Sequence, residues 1–177
     1  MKITIYMFII ISYIFSMTPE EIKNQYFNKL IKEEKKRRID EEIKILKKVN
    51  SKINLIKYRS DKKNWNKSDY WATYKEFLKK GSGDCEDFAI AKYYVLKNIG
   101  INYKKMSFGY NRIKIKGKYT NHLVLLYYID NKDPLILDNV NKRIFRLNKR
   151  KDIKMIYTFN LNQKLKKENI KIYKGEK

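Results

Sequence analysis

The sequence predicts an α+β fold, with N-terminal helices packed on an antiparallel β-sheet. Apolar residues recur at steps of three or four as far as Gly100, and after it short runs of Tyr, Ile, Val and Leu take over. No internal repeat, Pro-rich linker or low-complexity segment divides the two halves. At 177 residues the chain is long enough for one domain with a real core.

The chain opens with MKITIYMFIIISYIFSM, one lysine ahead of an apolar run from Ile3 to Phe15 and the small Ser16. That run is too short to cross a bilayer comfortably and fits the hydrophobic region of a secretory signal. Residues 1–16 are therefore expected to be a signal peptide and 17–177 a single periplasmic domain with no stable membrane span. Ile14 spoils the cleavage box, which leaves a retained anchor as the alternative.

Beyond the leader, Ile22, Tyr26 and Leu30, then Ile39, Ile43, Leu46 and Val49, predict helix, interrupted or solvated at the mixed-charge block Lys32–Arg38. The stretch Asn50–Ser68 is polar, with Leu55, Ile56 and Tyr58 as a short strand. Thr73-Tyr74-Lys75-Glu76 has the capping-box spacing, so a helix through Leu78 should end at Gly81. Gly81-Ser82-Gly83 reads as a tight turn. A second helix starts near Cys85, with Phe88, Ala91, Val95 and Ile99 along one face, Ala89, Tyr93 and Leu96 beside them, and Gly100 as its stop.

Residues 102–115 and 119–129, split by Lys116-Gly117-Lys118, read as a hairpin. Residues 134–138 form a third strand, and 143–147 and 153–159 a fourth and fifth, before a polar tail from Asn162. Lys and Arg number 42 against 19 Asp and Glu, a net charge of +23. Such a surplus suits nucleic acid or an anionic surface. Here it is spread along the chain, and its densest block is mixed in sign, so it reads as a solvated surface with no nucleic-acid partner.

Cys85 is the only cysteine and His122 the only histidine. In an exported chain a lone cysteine cannot form an internal disulfide; it is an inert buried thiol, an intermolecular partner or a nucleophile. Asp84, Glu86 and Asp87 crowd it, and like-charge repulsion disfavours a thiolate there. A cysteine at a helix N-terminus, a histidine opening one strand and Asp138 closing the next follow the order of a papain-like thiol site. In such a site the base takes the thiol proton, a carboxylate fixes the imidazole tautomer, and the helix N-terminus favours charge on sulfur. Taken singly, His122 reads as a half-buried strand residue and Asp138 as a turn aspartate.

The segments DYWATYKEFLKKGSGDCEDFAIAKYYVLKNIGI, NHLVLLYY and PLILDNV closely resemble the bacterial transglutaminase-like cysteine proteinases, and among them the LapG-type periplasmic adhesin proteases. The similarity runs from about Leu46 to Asn160. Tyr74 stands where the family often has proline, Phe88 where tyrosine is common, and the lysine-rich end matches weakly. The resemblance implies a papain/transglutaminase-like core with the nucleophile Cys85 at a helix N-terminus, His122 as general base and Asp138 as orienting carboxylate. It implies a Ca²⁺ requirement, with Asp84 and Glu86 as ligands; a bound dication would cancel the negative field around the thiol. Asp87 is not assigned by the family pattern.

The implied function is a calcium-dependent periplasmic cysteine endopeptidase. It would cut the N-terminal region of a large surface adhesin at a di-alanine-type site, under an inner-membrane cyclic di-GMP receptor of the LapD type, and so govern biofilm attachment. The alternatives are acyl transfer or amidase chemistry on the same scaffold, and a non-enzymatic basic protein binding the envelope. By analogy the Cys85 amide is one oxyanion donor; the second is open between Trp71 and Asn121.

Overall fold

The computed structural model describes residues 18–130 and 133–160. The chain divides into two compact units, Met1–Glu41 and Glu42–Lys177. The expected signal peptide, residues 1–16, and the tail from Asn162 lie outside the described residues. No described helix is long and apolar enough to cross a membrane.

In the first unit the described backbone is the opening of helix α1 (Pro19–Ile53). Thr18 caps it: its N–H donates to Glu21 Oε2 at 2.7 Å, and its hydroxyl accepts from Glu21 N at 3.3 Å. The mixed-charge block does not interrupt the helix. Arg37 pairs with Glu34 and with Glu41, each at 2.7 Å, one turn away on the exposed face.

In the second unit, the end of α1 buries Leu46, Val49 and Ile53. There follow β1 (Lys57–Tyr58), α2 (Asp61–Trp65), α3 (Tyr74–Lys80), β2 (Ser82–Gly83) and α4 (Cys85–Asn98). A 3₁₀ turn at Tyr103–Lys105 leads into β3 (Met106–Ile115), β4 (Lys118–Tyr127), β5 (Leu135–Leu137), β6 (Phe145–Arg146) and β7 (Ile153–Phe159). The five-stranded sheet has the order β6-β5-β4-β3-β7 and is antiparallel throughout. The fold is α+β, as the order of elements requires.

The β3–β4 hairpin closes through Lys116 and Gly117, whose φ angles of 47° and 84° suit the strand twist of a two-residue turn. Alternation then sorts the strands. Leu123, Leu125 and Tyr127 of β4 join Phe108 and Leu137 in a core with Phe88, Ala89, Tyr93 and Leu96 of α4. Val124 and Leu126 face a smaller cluster with Ile113, Ile136 and Ile153.

Thr73 and Glu76 make the expected capping box on α3, and Gly81 ends that helix at φ 65°. Other expectations need correction. Ser82 and Gly83 are not only a turn: they pair in parallel with Lys57 and Tyr58. At Gly83 a Cβ would lie 2.5 Å from Asp87 Oδ2 and 2.6 Å from Phe77, so only glycine lets these groups close over the chain. Leu55 is exposed rather than paired, and Asp61–Trp65 is helical within a stretch that reads as irregular. On α4 the expected stripe holds at Phe88 and Ala91 but not at Ile99, which is 53% exposed, while Ala89, Tyr93 and Leu96 beside it are buried. Residues 102–105 lead into β3 as a 3₁₀ turn and are not part of the strand.

Candidate active site

Cys85 is the first residue of α4, behind the N-cap Asp84. Asp87, two residues on, is fully buried. One of its carboxylate oxygens accepts the Asp84 N–H at 3.3 Å, and the other accepts the Ala72 N–H at 2.9 Å. It therefore fastens the segment before α3 to the turn that presents the thiol.

Cys85 Sγ donates to Glu86 Oε2 at 2.9 Å, and the backbone of Leu123 on β4 favours charge on the sulfur. Burial pushes the thiol well above its ordinary pKa, and the Glu86 carboxylate adds to the rise. The sulfur thus lies near the residue that follows His122.

β4 and β5 are neighbours whose last pair toward the site is Leu125↔Leu137. Asp138 is the next residue after β5, and His122 lies just beyond the pairing on β4. His122 Nε2 and Asp138 Oδ1 are 2.8 Å apart, with both side chains buried. Asp138 Oδ1 also accepts the Val140 N–H at 2.9 Å, and Oδ2 accepts from Arg150 Nη2 at 2.8 Å. Asn54 Nδ2 holds the Asp138 carbonyl at 2.7 Å. Burial would push the Asp138 carboxyl up, but the bonds from His122, Val140 and Arg150 hold it well below the usual carboxylate range. Arg150 is itself buried and braced by Asp152, at 2.8 Å through Nε and 2.7 Å through Nη2. Lys92, buried on α4, faces the same charge; burial pulls its pKa down to about 7 against the attraction of Asp138.

The carboxylates about Cys85 form a larger set than the sequence suggests. Ligand oxygens of Asp61, Asp84 and Asp87 lie within 4.8 Å of one another, and so do those of Asp61, Asp69 and Glu86. Asp84 Oδ1 is buried with no hydrogen-bond donor among the described residues. Burial and mutual repulsion push Asp84 up to about 9 and Asp87 up to about 7. Hard oxygen donors packed this closely, with one buried oxygen lacking a proton donor, fit a Ca²⁺ ion. Asp84 and Glu86 are thus joined by Asp61 and Asp69 from α2 and the loop after it, which the sequence reading missed. Their only local signal is isolated acids in a lysine-rich stretch. Arg150 was missed too, and nothing around it in the sequence marks it.

Of the two further oxyanion candidates, Trp71 is half-buried with its ring 6.4 Å from that of Phe159. Asn121 is exposed on β4 beside His122.

The family model of bacterial transglutaminase-like cysteine proteinase BTLCP matches residues 20–171. None of the curated proteins matches the chain. Among solved structures, calcium-bound LapG of Legionella pneumophila aligns at 37% identity with a TM-score of 0.60, covering 67% of this chain and 66% of that one. The EGTA-treated form of the same protein aligns at 37% identity with a TM-score of 0.58, covering 65% and 61%. A third LapG structure from that organism aligns at 38% identity with a TM-score of 0.59, covering 67% and 64%. The alignments thus span just under two thirds of those chains. With the family model matched over most of its length, this chain belongs to the bacterial transglutaminase-like cysteine proteinases.

Proposed function

We propose that the chain is a calcium-dependent cysteine endopeptidase in which Cys85 is the nucleophile, His122 the general base and Asp138 the carboxylate that orients it. The observation that carries this reading is the buried His122–Asp138 bond at 2.8 Å, on the strand whose next residue, Leu123, favours charge on the Cys85 sulfur. With Nε2 on Asp138, His122 keeps Nδ1 for the thiol proton.

In the forward step His122 Nδ1 takes that proton as sulfur bonds to the scissile carbonyl carbon. It returns the proton to the departing amine as the C–N bond breaks. Water then attacks the thioester, again deprotonated by His122, and releases the acid and the free thiol. The Cys85 N–H, at the start of α4, is a donor for the developing oxyanion.

Asp84 and Glu86, with Asp61, Asp69 and Asp87, would hold the calcium ion. When bound it supplies positive charge that neutralises this cluster and favours a thiolate beside it. With Glu86 committed to the ion, its Oε2 no longer accepts from the thiol, and the proton is left to His122. Support for calcium also comes from the relatives, LapG structures described as calcium-bound and EGTA-treated.

The substrate on this reading is the N-terminal region of a large surface adhesin, cut at a di-alanine-type site in the periplasm. Control falls to an inner-membrane cyclic di-GMP receptor, and the outcome is biofilm release. The test is incubation with adhesin N-terminal fragments in calcium or in chelator. Cleavage is expected in calcium only and not with Cys85→Ala. Cutting by that variant, or full activity in excess chelator, overturns the mechanism or the metal respectively. Product mass in excess amine separates hydrolysis from acyl transfer.

A further inference from the structure

We infer that the open edge of β4 receives the substrate as an added strand along Lys118–Asn121, with acidic substrate residues toward the β3–β4 turn. This rests on the protease reading above and names how the substrate is held. β3 pairs with the whole of β4, from Met106↔Tyr127 to Ile115↔Lys118, whereas β5 pairs only with Leu125–Tyr127. Among the described residues, no other strand borders Lys118–Val124 on the β5 side.

The two-residue turn closes on the Ile115↔Lys118 pair, so Lys118 and every second residue after it bond to β3, and Leu123 turns its N–H to the open side, where it favours charge on the Cys85 sulfur. Backbone groups alternate in direction along an antiparallel strand. The N–H and C=O of Asn121 and Tyr119 therefore face the same open side, and Lys118, Thr120 and Asn121 are exposed. The nucleophile thus sits on the edge where a further strand would continue its ladder. An unpaired edge is a template for an extended peptide. Residues facing the edge recur about 7 Å apart, so a peptide bonded to Asn121 carries its next residues to Cys85.

Away from His122 the same edge leads into cations. Lys116 and Lys118 are exposed there, at the β3–β4 turn. An extended segment with acidic side chains on this side of its scissile bond matches that charge.

The probes are quenched fluorescent decapeptides with a central Ala-Ala, flanked by Asp and Glu or by Lys, and cut by the full chain in calcium. Acidic flanks should raise kcat/KM at least tenfold over lysine flanks, and the double variant K116E/K118E should reverse the preference. Methylating the peptide backbone nitrogens one at a time, with the unaltered chain, should abolish cleavage at alternate residues only. Tolerance of every methyl group, or uniform sensitivity, overturns the added strand; equal rates for both flanks overturn the acidic complement. If the unaltered chain cuts none of the peptides, the protease reading itself fails, an outcome distinct from the other two.

Discussion

Cys85 Sγ donates to Glu86 Oε2 at 2.9 Å, so in this arrangement the nucleophile's proton is held by its neighbour on α4 and not by His122. The reactivity of the thiol should therefore depend on what else Glu86 binds. In chelator, alkylation of Cys85 by iodoacetamide should have a pH midpoint above the ordinary cysteine range. Calcium should lower that midpoint and speed alkylation at pH 7 by about tenfold or more, since one pKa unit is tenfold in thiolate. A midpoint that calcium does not move would separate Glu86 from the metal.

The acid cluster makes a prediction for stability. Asp84 and Asp87 carry folded pKa values raised above their unfolded value, chiefly by burial. Their contribution is fully present below about pH 4 and is lost as pH rises through 7 and toward 9. Melting in chelator should therefore fall in temperature from pH 5 to pH 8. Calcium at a hundredfold excess over its Kd should restore about 2.7 kcal/mol. Asp61→Asn and Asp69→Asn should each shrink that gain, although neither residue adjoins Cys85 in sequence.

Arg150 and Asp138 form a buried pair at 2.8 Å, so removing one partner leaves an uncompensated charge. Arg150→Met should cost about 3–5 kcal/mol in urea denaturation, with Arg150→Lys recovering part of it. The Asp138 carboxyl is held below its unfolded value, so its contribution is present above about pH 4 and lost as pH falls toward the folded value. Denaturation of Asp138→Asn between pH 2 and 5 should lack that acid limb.

Lys92 is 1% exposed on the helix that carries the thiol, and burial lowers its pKa to about 7. The unfolded chain binds this proton more tightly, so stability should rise with pH between about 7 and 10. Lys92→Met should be more stable than the parent at pH 7 by roughly 2–4 kcal/mol, and the gap should close by pH 10. A gap independent of pH would show that packing, not charge, sets the cost.

Local spacing announces much of this molecule. The Thr73–Glu76 cap, the Gly81 stop and the Lys116-Gly117 turn each depend on residues within four positions of one another, so they can be read directly. Leu55 and Ile99 show the limit: their apolar character suits a core, but no neighbour covers them. The short helix at Asp61–Trp65 has little periodicity, and its place is set by distant bonds such as Asn64 Nδ2 to the Ser82 carbonyl at 2.8 Å.

The order of residues alone determined the α+β class, the helix behind the lone thiol, and the candidacy of Cys85, His122 and Asp138. Scarcity and position single those side chains out before any folding. Only the tertiary structure decided which groups surround them: Arg150 and Asn54 on Asp138, and Asp61 and Asp69 beside Glu86. Such partners come from remote segments with no periodic signature, and what selects them is the need to satisfy charge once it is buried.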